Sequence, residues 1–121
     1  MQRYDDALVR FFKVDYLKPE YPKAWRAIGW CAFLAGKYEK ANDYYDRLLA
    51  TEPDGVDLMN AAHARWTSGN TGRAVELYRK SVEKLGQELF VQEFDKDRPT
   101  LVLKGISEAD FPIMLDCICQ I

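Results

Sequence analysis

Residues 21–53 read YPKAWRAIGWCAFLAGKYEKANDYYDRLLATEP, and the placing of small and aromatic side chains in this stretch decides the fold. Trp25, Ile28 and Gly29 recur at i, i+3, i+4, the spacing that gathers side chains on one face of a helix. The glycine lets a partner helix approach closely. Ala41, Tyr45 and Leu48 form the opposing stripe of a second helix, with the alanine expected to meet the glycine and the tyrosine to fill the space beyond it. Gly36 falls where the first helix must stop and the chain must turn, a place suited to a residue that tolerates left-handed backbone. Pro53 ends the second helix, and Asp54-Gly55 supplies an acceptor side chain to cap the next one. The stretch is predicted to be a helical hairpin.

The hairpin recurs along the chain. Tyr4-Asp5-Asp6-Ala7, then Phe11 and Pro19, aligns with Tyr38-Glu39-Lys40-Ala41, then Tyr45 and Pro53, at a shift of 34 residues. Thr71-Gly72-Arg73-Ala74 and Tyr78 follow at a shift of 33, and Trp25-Ile28-Gly29-Phe33-Gly36 matches Leu58-Ala61-Ala62-Trp66-Gly69 at the same distance. A period of this length belongs to paired helices that bury their apolar stripes on one another and on their neighbours.

This pattern resembles the tetratricopeptide repeat family, whose signature places Trp, Leu, Gly and Tyr on the first helix and Ala, Phe, Ala and Pro on the second. Residues 21–53 carry it as Trp25, Ile28, Gly29, Ala32, Ala41, Tyr45, Leu48 and Pro53. Residues 55–86 keep Leu58, Ala61, Ala62, Ala74 and Tyr78, but place Arg65 and Ser81 at usually apolar positions and lack the closing proline, which makes them a degenerate copy. Residues 1–19 carry only the second-helix half, Ala7, Phe11, Val14 and Pro19, as expected of the C-terminal fragment of a longer array. The resemblance implies an all-α fold, a right-handed superhelical stack of antiparallel helix hairpins spanning residues 1–86. Residues 87–121 lie beyond it, as a non-repeat helical cap over the open end of the stack.

In that family, ligands lie in a concave groove lined by the first helix of each hairpin. The resemblance assigns to it Lys23, Arg26, Trp30, Phe33 and Leu34, then Met59, Asn60, His63 and Thr67, with Trp66 at the edge. Aromatics flanked by a few donors suit a peptide segment or a neighbouring domain, since buried rings supply area while polar groups fix register. Some members clamp the terminal carboxylate of a chaperone. Here Asn60 holds one clamp-like position and Lys23 and Arg26 are nearby cations, but Trp30 stands where the clamp would have an asparagine. The expected ligand is therefore a hydrophobic peptide. The alternative is an architectural or oligomerising segment with no ligand of its own.

The C-terminal segment has its own signals. Leu89, Phe90, Val91 and Phe94 predict a short helix, Pro99 is expected to open a second, and Gly105 to close it. A last helix is expected to start at Ser107 or Asp110 and to align Phe111, Met114, Leu115, Ile118 and Ile121 in one stripe. That stripe either seals the stack or docks another subunit, and its burial distinguishes the two. A homodimer is conceivable through this helix or through residues 1–19, whose partner helix is missing.

Composition narrows the function further. The chain has 121 residues, 48% of them hydrophobic and 30% charged, enough for one compact domain and too apolar for a linker. Its 17 basic and 19 acidic residues offer no broad basic field for nucleic acid or an anionic membrane. The charge is uneven, with 3 basic and 7 acidic residues in 87–121. No apolar run approaches the roughly 18 residues of a membrane span. The single histidine, His63, has Asn60 and Thr67 one turn away and no carboxylate or cysteine at local catalytic spacing, so it reads as a groove or surface residue. Cys117 and Cys119 point about 200° apart on a helix and cannot chelate together. With Cys31 they read as small hydrophobes in a reducing, cytoplasmic setting. The expectation is an interaction module without catalytic, metal or cofactor chemistry.

Overall fold

The computed structural model describes residues 22–119, and among them the protein is entirely helical. The elements are α1 (Pro22–Leu34), α2 (Tyr38–Leu49), α3 (Gly55–Thr67), α4 (Thr71–Leu85), α5 (Gln87–Leu103) and α6 (Asp110–Cys119). They belong to two compact units, divided between Pro53 and Asp54. Residues 1–19, with the half hairpin expected there and its proposed dimer face, lie outside the described residues, as does Ile121.

The first unit contains the hairpin α1–α2. Ala24, Trp25, Ile28, Ala32 and Phe33 are buried from α1, and Ala41, Tyr45 and Leu48 from α2, so the stripes predicted from spacing are the buried ones. The close approach at Gly29 is made by Tyr45 rather than Ala41: a Cβ on this glycine would lie 3.0 Å from the tyrosine ring. Gly36 stands at φ +79, and beyond it Lys37 N–H donates to the Ala32 carbonyl at 2.8 Å. This turn satisfies carbonyls that the end of α1 leaves without helical partners.

The second unit opens with a reciprocal cap on α3. Asp54 Oδ1 accepts from the Asp57 backbone at 2.8 Å, and Asp57 Oδ2 accepts from the Asp54 backbone at 3.2 Å. The α3–α4 hairpin repeats the first in spacing: Pro22 to Gly55 and Tyr38 to Thr71 are each 33 residues apart. Gly69, at φ +94, ends α3 as Gly36 ends α1, with Asn70 N–H bonded to the Arg65 carbonyl at 2.8 Å. The polar residue at a normally apolar place, Ser81, is fully buried but donates to the Gly55 carbonyl at 2.6 Å. That bond ties α4 to the first turn of α3 and removes the cost of burying the hydroxyl.

The region after Gly86 differs from expectation. Instead of a short helix followed by one opening at Pro99, α5 runs 17 residues with Pro99 inside it. Proline has no N–H to give the Asp95 carbonyl, but Asp95 and Pro99 both face water. On the other face, Phe90, Phe94 and Leu101 are buried on both sides of the proline, and keeping that stripe continuous outweighs one lost solvent-side bond.

Helix α6 starts at Asp110, one of the two expected starts. Phe111, Met114 and Ile118 are buried, and Leu115 is half-buried. The described part of the stripe thus packs within its own chain. Arg79 of α4 holds the end of α6, donating from Nε and Nη2 to the Cys117 carbonyl at 3.1 and 2.7 Å. The interior of this unit is an aromatic cluster: Trp66 meets Phe111 edge-on at 5.5 Å and stacks near Phe94 at 6.4 Å. Tyr78 meets Phe94 edge-on at 5.5 Å.

Candidate protein-interaction site

The groove residues anticipated from the sequence divide by burial. On α1, Lys23 is exposed while Arg26, Trp30 and Leu34 are part-exposed. Their positions, i, i+3, i+7 and i+11, put them on one helical face. Phe33 lies at the border of that face and is fully buried, its ring 5.3 Å from that of Trp30. It supports the exposed tryptophan from beneath and cannot itself be a contact residue. On α3, Asn60 and Thr67 are part-exposed. Met59, His63 and Trp66 are buried, so their expected place on a ligand-facing surface is not what the structure shows.

The reason for His63 and Trp66 is the helices that follow the hairpin. Trp66 is enclosed by Phe94 of α5 and Phe111 of α6. His63, expected in the groove or on the surface, is the polar centre of three helices. Its Nδ1 lies 2.5 Å from the Tyr78 hydroxyl of α4, and its Nε2 lies 2.9 Å from Asp97 Oδ2 of α5. With the proton on Nε2, the imidazole donates to Asp97 and accepts from the tyrosine O–H, so both ring nitrogens are satisfied. Burial, and then the Asp97 charge, push the Tyr78 hydroxyl well above its ordinary value and keep it a donor.

The network joins a histidine, a carboxylate and a phenol, yet the histidine is fully buried among rings. Its geometry suits fastening α5 to the hairpin. Sequence reasoning missed it because the partners of His63 are 15 and 34 residues away. One signal was available. Asp97 continues the stripe of Phe90 and Phe94 at helical spacing, a carboxylate in line with buried apolar residues.

Elsewhere, burial raises the Cys31 thiol and lowers the Lys104 ammonium from their ordinary values. Among the described residues no group of three or more His, Cys, Asp or Glu is placed to hold a metal ion. Among the same residues no helix is long and apolar enough to cross a membrane.

Compared with known families, residues 22–54 match the tetratricopeptide repeat. The match spans both helices of the first hairpin, with Gly29 beneath Tyr45 and the glycine turn between them. The chain contains a tetratricopeptide repeat. Repeats of this family in general mediate protein–protein interaction. In this tetratricopeptide hairpin the signature residues Trp25, Ile28, Ala32, Ala41, Tyr45 and Leu48 are all interior, while Lys23, Arg26 and Trp30 keep exposed surface on α1. Searches of curated proteins and of solved structures found no match to the chain.

Proposed function

We propose that the chain is a non-catalytic interaction module that holds a peptide segment or a neighbouring domain against the outer face of α1. Trp30 is the apolar anchor, and Lys23 and Arg26 orient the ligand. The observation that carries this reading is the part-exposed Trp30, seated on buried Phe33 beside two cations, on a repeat whose other large α1 side chains Trp25, Ile28 and Phe33 are buried. An aromatic ring held rigid on one face and open on the other binds with little loss of side-chain freedom.

In the same reading, residues 55–86 form a degenerate second repeat, supported by the 33-residue offset of their helices. Residues 87–121 form a terminal cap, supported by the buried stripes of α5 and α6. The three cysteines, none of them in a disulfide, fit a reducing cytoplasmic setting.

The test is to select peptides from a displayed random library on the full chain and measure their affinities for Trp30→Ala and Lys23→Glu, with folding checked by circular dichroism. Loss of the anchor is expected to weaken binding about thirtyfold, the scale of an interface hot spot. Equal affinity for both folded variants would move the function away from α1.

A further inference from the structure

Helix α1 carries two cations, Lys23 and Arg26, and no carboxylate. The described carboxylates of the first unit, Glu39, Asp43, Asp46 and Glu52, lie on α2 or in the loop after it. Lys23 is exposed and has no ion-pair partner among the described residues. It stands in the first turn of α1, where a positive charge works against the helix dipole, so holding the helix gives no account of it.

Two apolar residues continue the same face. Trp30 and Leu34 keep exposed surface one turn apart, and Ala27 and Cys31, which also keep surface, are small and uncharged. Side chains four residues apart are neighbours on a helix, so Trp30 and Leu34 together seat one large apolar side chain. The face thus runs from cationic at the start of α1 to apolar at its end. Each residue of an α-helix advances about 1.5 Å, which puts Trp30 about 10 Å beyond Lys23 and about 6 Å beyond Arg26. An extended chain advances about 3.3 Å per residue. Carboxylates two and three residues from an apolar anchor therefore match the two cations.

We infer that the α1 face takes an acidic segment of another polypeptide, an assignment that rests on α1 being the contact face. One large apolar side chain of the extended segment sits on Trp30 and Leu34, while side-chain carboxylates two and three residues away pair with Arg26 and Lys23. Opposite charges arranged in this way fix register and speed encounter. Recognition needs no chain terminus, because the carboxylates belong to side chains.

The test uses synthetic peptides blocked at both ends, each with one leucine flanked on either side, at the second and third positions, by glutamates, by glutamines or by lysines. They are titrated against the full chain by fluorescence anisotropy. The glutamate peptide is expected to bind about tenfold more tightly than the glutamine peptide at low ionic strength, the scale of two exposed ion pairs, and added salt should erase the difference. Lys23→Glu, with an unchanged circular dichroism spectrum, should remove most of the preference, and Trp30→Ala should weaken the glutamate and glutamine peptides alike. Equal binding of those two peptides, both dependent on Trp30, overturns the acidic ligand and leaves the contact face standing. Failure of all three peptides to bind also overturns it, the library selection deciding the contact face separately. A glutamate preference that survives Lys23→Glu places the cationic partner elsewhere and sinks the inference, and glutamate binding indifferent to Trp30→Ala sinks the contact face with it.

Discussion

Tyr78 shows how much one hydroxyl can carry in a core of rings. Removing it in Tyr78→Phe leaves Nδ1 of His63 buried without a donor, and the expected loss is about 1–3 kcal/mol in urea unfolding. The same hydroxyl sets a pH limit. Its folded-state value lies above the ordinary 10.0, so the stability it supports is whole below that pH. Above it the unfolded chain releases this proton first, and stability falls by about 1.4 kcal/mol per pH unit. Absorbance titration of the tyrosines is expected to show Tyr78 ionising only as the chain unfolds. Tyr78→Phe should remove that step, and a Tyr78 that ionises in the folded protein would contradict the assignment. At the start of α3, Asp54→Ala removes the reciprocal cap and is expected to cost about 0.5–2 kcal/mol by the same urea measurement. The cap was readable from Pro53-Asp54-Gly55, because capping is a contact between residues three apart. The His63 network was not, because nothing in the local sequence around position 63 indicates that a carboxylate 34 residues later will arrive beside it.

At the scale of elements, the hairpins were legible and α5 was not. The turns at Gly36 and Gly69, the end of α2 before Pro53 and the start of α3 after Asp54 fall where glycine, proline and cap signals predict, since each acts within one or two turns. Pro99 misled because its local preference is to begin a helix, whereas the gain from burying Phe90, Phe94 and Leu101 on one stripe is collective. Two substitutions test this balance. Pro99→Ala restores an N–H for the Asp95 carbonyl on the watery face and is expected to raise stability by about 1–3 kcal/mol in thermal or urea unfolding. Phe94→Ala empties the centre of the ring cluster and should cost about 3–5 kcal/mol. If the proline substitution destabilises instead, the helix relies on the proline's fixed backbone angle.

For the whole molecule, the boundary between Pro53 and Asp54 separates two units with their own interiors. The second holds two ring-bearing helices, α5 and α6, against the α3–α4 hairpin, a cap at its first residue and a tie at its last helix. A chain of residues 54–121 is therefore expected to be helical and to unfold cooperatively by circular dichroism. A gradual melt would show that its interior needs the first unit. Of the residues expected to contact a ligand, Lys23, Arg26 and Trp30 in the first unit and Asn60 in the second keep exposed surface, while Phe33, Met59, His63 and Trp66 are buried. The sequence by itself determined the helical class, the 33-residue spacing of the hairpins, the glycine turns at Gly36 and Gly69 and the capped start of α3. Each of these depends on neighbours within a few residues. Tertiary structure alone decided that His63 joins Tyr78 to Asp97, that α5 continues through Pro99, and that Arg79 of α4 holds the end of α6. Those outcomes depend on which apolar faces bury one another over long separations, a competition between whole surfaces that local residue patterns do not encode.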